Sequence, residues 1–201
     1  LQLGSNRQFD VLGRTITSTD QTGLTITQQY HPRHQITTLP GGATRIAATY
    51  LDGRQKSLTG TGSVHQYHNH GLEAESGQIW SQSTAAKADG PRYQRSYSNF
   101  LGQTTKTERP GFGEGNLIVT KPLYDESGRS YGSQSFVVDA AGNQTQIGST
   151  NLTNFDDLGQ AEFSGQDIDG NGKLDAASMD RLSRSKSNYR KIGDHWYQVH
   201  Q

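Results

Sequence analysis

Short runs of alternating apolar and polar residues recur along the chain, separated by turn-forming residues. Residues 15–17 (Thr-Ile-Thr) and 24–27 (Leu-Thr-Ile-Thr) show the alternation most clearly. A period of two with β-branched residues is typical of a strand that buries one face. Clusters at residues 20–23, 40–42 and 60–62, built from Gly, Pro, Asp, Gln and Thr, predict tight turns. The pattern therefore predicts an all-β fold of consecutive antiparallel β-hairpins that form a ribbon-like sheet.

A short motif accompanies several of these turns. An aromatic residue, Asp, two further residues, Gly and Arg occur in this order at residues 9–14 and 124–129. Looser copies, each lacking part of the motif, occupy residues 50–54, 99–104, 138–143 and 155–160. A recurring motif of this kind indicates a repeat architecture in which each unit supplies two turns and two short strands.

The chemistry of the motif assigns a role to each position. Asp at the start of a tight turn can accept hydrogen bonds from backbone N–H groups, and the Gly three positions later can adopt a positive φ. The aromatic ring is the largest apolar group of each unit, which favours a place on the inner face of the sheet. The predicted turn residues are Asp10, Gly13, Arg14, Asp125, Gly128 and Arg129. The predicted inner-face aromatic residues are Phe9, Tyr30, Tyr50, Tyr67 and Tyr124.

These repeated segments resemble the YD-repeat, or Rhs, family, whose consensus is Tyr-Asp-x-x-Gly-Arg followed by strand residues. Residues 9–14 and 124–129 match it best, residues 108–115 and 167–175 are similar to linkers of long secreted bacterial members, and residues 71–95 match nothing well. The resemblance implies a β-ribbon that spirals into a hollow β-shell. Such a shell encloses a C-terminal toxin or belongs to a large surface or adhesion protein. No Pro follows Asp here, so the family's Asp-Pro self-cleavage motif is absent from this segment.

The resemblance and the turn spacing together suggest four regions. Residues 1–75 and 99–160 are predicted to hold YD-type repeats, and residues 76–98 to form irregular connecting strands. Residues 161–201 are predicted to hold a calcium-type loop followed by a terminal β-hairpin.

Composition supports an ordered protein with a thin core. Apolar residues make up 30% of the 201 residues and charged residues 19%, with 24 Gly and a net charge of zero. Globular domains usually approach half apolar, so we expect the sheet to bury one face or to pack against more of the same chain. Balanced charge argues against nucleic-acid binding, and no apolar run is long enough to span a membrane. The start of the chain (Leu-Gln-Leu-Gly) has neither an initiator Met nor the pattern of a signal peptide, which suggests a longer parent chain.

One loop carries the spacing of a hard-cation site. Oxygen-bearing side chains or a backbone carbonyl recur at every second position, in the order Asp167, Asp169, Asn171, Lys173 (through its carbonyl) and Asp175. This is the ligand type and spacing that Ca²⁺ takes in a calcium loop. The sequence is thus compatible with Ca²⁺ as a cofactor.

The same loop departs from the standard pattern at its end. Gly172 occupies the sharp-turn position, but Ser178 stands where a bidentate Glu is expected, and Asp180 lies two positions further on. Calcium binding and an unmetallated Asp/Asn/Gly turn therefore both remain open from the sequence.

For the remaining candidate residues, which are histidines, acidic pairs and aromatic residues, a structural role is favoured over a metal or catalytic site. His68 and His70 share a strand face while His65 points away, and His31 and His34 would have to come from a neighbouring unit, so a zinc site is disfavoured. The acidic pairs at residues 73/75 and 156/157 carry no further catalytic signature. A sugar-stacking platform is an alternative to a core role for the remaining aromatic residues Trp80, Tyr93, Tyr97, Tyr189, Trp196 and Tyr197.

The sequence thus predicts no catalytic residue and no enzyme. It predicts a structural wall segment of a large YD-repeat protein, extracellular or at the cell surface, whose partners are the rest of a parent chain and an enclosed cargo domain. The alternatives are an adhesion module that binds glycan or protein, and a β-fibre subunit that assembles with neighbouring copies through exposed sheet edges.

Overall fold

The computed structural model describes residues 5–156, 158–185 and 187–200, and every regular element within them is a β-strand. The described residues include no helix long and apolar enough to cross a membrane. The strands of the first half of the chain are β1 (Asn6–Phe9), β2 (Thr15–Thr19), β3 (Thr25–Tyr30), β4 (His34–Thr38), β5 (Thr44–Thr49), β6 (Gln55–Thr59), β7 (Gln66–Leu72), β8 (Ile79–Ala85) and β9 (Tyr93–Ser98). Those of the second half are β10 (Thr104–Pro110), β11 (Leu117–Tyr124), β12 (Ser130–Val138), β13 (Gln144–Gln146), β14 (Thr150–Phe155), β15 (Ala161–Asp167), β16 (Arg181–Arg184), β17 (Ser187–Ile192) and β18 (His195–His200).

The strands follow one another in space as they do in sequence. The order is β1 to β12, then β14, β15 and β16, with β13 paired beside β12, and β17 and β18 form a separate hairpin. The paired strands are antiparallel, and most are joined by short turns, many of which contain Gly. The predicted fold class, consecutive antiparallel hairpins in a ribbon-like sheet, is confirmed.

The chain divides into two compact units, residues 1–95 and 96–201. In the first, the register places Thr17 opposite Thr27 and Thr27 opposite Thr38, so a row of threonines lies on one face of β2 to β4. Leu58 and Thr84 are the buried side chains of this unit among the described residues, with 9% and 2% of their surface exposed. Residues 76–98, predicted as irregular connecting strands, contain β8 and β9.

The second unit has the longest strand pair, in which β11 lies against β12 with Val119 opposite Phe136. Val119, Leu152 and Tyr97 are each 4% exposed. β15 leads into a loop over residues 168–180, which returns the chain to β16. The terminal hairpin of β17 and β18 pairs Tyr189 with Gln198 and Ile192 with His195.

The core is as thin as the composition suggests. The buried apolar side chains of the described residues are Leu58, Tyr97, Val119, Leu152 and Leu174. Large apolar side chains at turns remain open to solvent, with Val11 fully exposed and Phe100 93% exposed. Most strand residues of the described chain are half-buried and few are fully buried.

The repeated turn and the acidic loop

Eight turns of the described residues share one backbone geometry. In each, the N–H of the first residue donates to the carbonyl of the fifth, and the N–H of the fourth residue, always Gly, donates to the carbonyl of the first. The Gly φ values lie between +77° and +87°. Because a positive φ is cheap only for Gly, this position accounts for the recurring glycines. The turns are 10–14, 20–24, 39–43, 50–54, 99–103, 125–129, 139–143 and 156–160.

The first residue of most of these turns also caps the turn with its side chain. The Oδ1 of Asp125 accepts the N–H groups of Ser127 and Arg129 at 3.0 and 2.9 Å. Asp10 does the same for Leu12 and Arg14, both at 2.9 Å. The equivalent contacts are made by Asp20, Asn99, Asp139 and Asp156. An ionised carboxylate satisfies two backbone donors at once, which explains why Asp dominates this position.

These hydrogen bonds favour the charged form of the carboxylates. The Ser127 hydroxyl and the Arg129 backbone N–H hold the pKa of Asp125 down at about 2. The pKa of Asp10 is lowered chiefly by the Arg14 backbone N–H. The pKa of Asp139 is lowered chiefly by the Asn143 side chain.

The Arg of the motif joins the turn to an aromatic residue further along the chain. Arg14 lies 2.6 Å from the Oδ2 of Asp10, and its guanidinium carbon is 4.4 Å from the ring centre of Tyr30. Arg129 repeats the arrangement, with its Nε 3.0 Å from Asp125 and its guanidinium 3.9 Å from the ring centre of Phe155. Asp–Arg–aromatic triples of this kind position the turn against the strand beside it.

The tyrosine hydroxyls make a further contact across strands. Tyr30 donates to the carbonyl of Thr15 at 3.0 Å, and Tyr124 donates to the carbonyl of Thr104 at 2.9 Å. Both acceptors lie just after the Gly of a preceding repeated turn. The ring of one repeat thus hydrogen-bonds to the start of the strand of the preceding repeat, which the sequence alone did not indicate.

The five predicted inner-face aromatic residues do not share one environment. Tyr30, Tyr50, Tyr67 and Tyr124 are half-buried, whereas Phe9 is 56% exposed. Phe9 belongs to β1, the edge strand of the sheet, which has one neighbouring strand among the described residues. The free edge of β1 leaves the Phe9 side chain with fewer neighbours than the tyrosines of inner strands have.

Neighbouring turns contact one another in the second unit. The Nε2 of Gln103 donates to the carbonyl of Gly128 at 2.9 Å. A Cβ added at Gly159 would lie 3.3 Å from the guanidinium of Arg129, so that side chain reaches the turn at residues 156–160. The turns at residues 99–103, 125–129 and 156–160 therefore form a connected row.

The acidic loop brings three carboxylates together. Ligand atoms of Asp167, Asp169 and Asp180 all lie within 4.8 Å of one another. Asp167 is 3% exposed and accepts the N–H groups of Gly170 and Gly172 at 2.8 Å each. The sequence pattern therefore placed Asp167 and Asp169 in this cluster but left out Asp180.

Asp180 closes the loop. It accepts the N–H of Ile168 at 2.8 Å and the N–H of Asp175 at 2.9 Å, and the Asp175 N–H is the chief cause that lowers the Asp180 pKa. Its place two residues beyond the standard last ligand was visible in the sequence, but the bend at residues 176–179 that brings it back was not.

The other predicted loop residues lie around this cluster. The side-chain amide of Asn171 donates to Asp169 at 3.0 Å and to Asp175 at 3.3 Å, and the Asn171 Oδ1 accepts the N–H of Lys173. The Asp175 carboxylate thus contacts the cluster through Asn171 and is not one of the three converging carboxylates. Carboxylate oxygens are ligands that a hard cation prefers, whereas the Asn171 amide oxygen is engaged by Lys173.

The remaining candidate residues contribute no comparable group. No histidine takes part in a convergent metal-ligand cluster of the described residues. His31 stacks on His34 with ring centres 4.2 Å apart, and His70 lies edge-on to Tyr50 at 5.9 Å. Of the acidic pairs, Glu73 hydrogen-bonds to the Ser76 hydroxyl, and residue 157 lies outside the described residues.

The aromatic residues considered for sugar stacking have separate surroundings. The guanidinium carbon of Arg95 lies 4.8 Å from the ring centre of Trp80 and 5.7 Å from that of Tyr93. Tyr97 donates to Glu108 at 2.9 Å. The rings of Tyr189, Trp196 and Tyr197, all on the terminal hairpin, are 52%, 67% and 49% exposed.

Comparison with solved structures gives a weak likeness. No family model matches the chain, and no curated protein matches its sequence. The chain is similar to part of a solved structure described as the Photorhabdus luminescens Tc holotoxin pore with the mutation TccC3-D651A. The identity is 12% and the TM-score 0.36, and the match covers 94% of this chain and 13% of the other.

Proposed function

We propose that this segment is a wall section of a larger extracellular YD-repeat shell or scaffold, and that it catalyses no reaction of its own. The observation that carries the proposal is the turn geometry repeated eight times, joined by strands that pair in sequence order. A chain organised in this way extends by adding like units, as repeat proteins do.

The thin core supports the same proposal. Most described strand residues are half-buried, and few apolar side chains are fully buried. A chain of this length normally buries a larger core, so a single-layer sheet gains stability when further repeats extend its edges or cover its faces. The end strands β1 and β16 each have one neighbour in the described residues and are free to pair with such repeats.

The mass of the native polypeptide tests this proposal. The polypeptide that carries the segment is recovered from its source, sized on a denaturing gel and sequenced by peptide mass spectrometry. The proposal requires a chain several times longer that contains further aromatic–Asp–x–x–Gly–Arg peptides. A native chain of about 200 residues would refute it and would favour a stand-alone or self-assembling binding protein.

We propose further that the acidic loop binds Ca²⁺ and thereby stabilises the second unit. The support is the convergence of the carboxylates of Asp167, Asp169 and Asp180. When bound, the ion would offset the mutual repulsion of these carboxylates and fix the return of the chain from β15 to β16. Calorimetric titration with Ca²⁺, with Mg²⁺ as the comparison, tests this role. Heat of binding that Asp169→Asn removes supports it, and absence of heat with the unsubstituted chain refutes it.

A further inference from the structure

An open cavity of about 670 Å³ lies in the first unit beside the turn at residues 50–54. This volume is within the range of small-molecule binding sites. The strand residues Ile46 and Ala48 line it together with Tyr50, and Arg33, His34 and Lys56 border it. The cavity therefore combines a small apolar surface with several nitrogen donors.

The backbone holds the cationic border in place. Arg33 belongs to the turn between β3 and β4, and its carbonyl accepts the N–H of Thr49 at 2.8 Å. This bond ties the turn to the end of β5. Lys56 lies on β6 with its ammonium 5.8 Å from the ring centre of Tyr50. Three neighbouring strands thus bring the two cations to one opening.

The cationic side chains that border this cavity form no ion pair with the described residues. Neither Arg33 nor Lys56 has an ion-pair partner among the described residues. The carboxylate that also lines the cavity, Asp52, is held by Arg54 at 2.7 Å. Residues 1–95 carry nine Lys and Arg against six Asp and Glu, a net charge of +3, so the surrounding field also favours an anion.

We propose that this cavity binds a carboxylated sugar residue of an acidic polysaccharide. The carboxylate would pair with Arg33 and Lys56, and the apolar face of the ring would lie on Ile46 and Ala48 beside Tyr50. Sugar rings match such a site because they carry one apolar face and an edge of hydroxyl groups, and charge complementarity selects the acidic members. The inference goes beyond the wall function, because a wall section needs no ligand.

Titration of the folded chain with trigalacturonate, followed by NMR or calorimetry, tests the proposal, with maltotriose as the neutral comparison. We expect a Kd of about 1 mM or tighter for the acidic sugar and none measurable for the neutral one. Arg33→Gln and Lys56→Gln should each weaken binding at least about fivefold, an effect typical of one charge-assisted contact. Arg92→Gln, which removes another exposed arginine of the same unit outside the cavity, should leave the affinity unchanged.

Three outcomes would overturn the proposal. The first is an absence of binding by a chain whose circular dichroism shows it to be folded. The second is binding that Arg92→Gln weakens as much as Arg33→Gln does, since this would indicate general charge attraction. The third is a triglutamate peptide that binds as tightly as trigalacturonate, since this would show that the carboxylates alone are recognised. The wall function is tested by the length of the native chain. None of the three outcomes depends on that length, so the two proposals can fail independently.

Discussion

Replacing the glycine of a repeated turn tests whether that turn needs its positive φ and whether turns support one another. Gly128 has φ +79°, and a Cβ there would lie 2.9 Å from the Nε2 of Gln103. Gly13 has φ +77°, but a Cβ there would meet nothing within 4 Å. The two positions therefore share the backbone strain and differ in the contact with a neighbouring turn.

The expected magnitudes follow from that difference. An L-residue in the left-handed region costs about 1–2 kcal/mol, and a β-branched residue lies at the upper end of that range. Gly13→Val should therefore lower the free energy of unfolding by about 2 kcal/mol. Gly128→Val should cost about 1 kcal/mol more, because it also displaces the hydrogen bond from Gln103 to the Gly128 carbonyl.

Urea unfolding followed by circular dichroism measures both changes, with Gly13→Asn and Gly128→Asn as matched controls because Asn tolerates a positive φ. The Asn variants should lose less stability than the Val variants at both positions. Equal losses for Val and Asn would refute the role of positive φ. Equal losses for Gly13→Val and Gly128→Val would refute the coupling between neighbouring turns.

Three further predictions concern the turns and the loop. The folded-state pKa of Asp125 is about 2 against a usual 3.8, so the stabilisation by its carboxylate is complete above pH 3.8 and is lost as the pH falls towards 2. Acid unfolding of Asp125→Asn should therefore depend less on pH in that window, and an unchanged profile would contradict the capping role. Tyr124→Phe removes the bond to the Thr104 carbonyl and should lower stability by about 1 kcal/mol in urea unfolding, whereas no loss would show that water replaces this contact. Saturating Ca²⁺ should raise the melting temperature of the chain, EGTA should reverse the rise, and Asp180→Asn should abolish it, while a rise that persists in Asp180→Asn would place the ion elsewhere.

Local pattern was sufficient to predict the all-β fold class, some of the strands and several of the turns. Alternation at residues 15–17 and 24–27 lies where β2 and β3 occur, and Asp10 and Gly13 occupy a turn with the expected capping and positive φ. These features depend on a few adjacent residues, so the sequence contains all the information needed. The turn at residues 39–43 has the same geometry without Asp or an aromatic residue, which shows that Gly at the fourth position is the more general requirement.

Features that depend on neighbouring strands could not be read from the sequence. The exposure of Phe9 follows from the single neighbour of β1, and the arrival of Asp180 beside Asp167 follows from the bend of the intervening chain. The convergence of Arg33 and Lys56 requires the register of three strands. Each of these depends on pairing between segments that are distant in sequence, which periodicity does not encode.

Electron microscopy of the native polypeptide tests the central claim most directly. The purified particle is imaged intact, and the position of this segment is marked with an antibody fragment raised against the terminal hairpin. A wall section predicts a particle with an enclosed cavity and the antibody fragment attached to its rim or outer surface. A compact particle without a cavity, or a fibre in which copies of this chain repeat end to end, would contradict the proposed function.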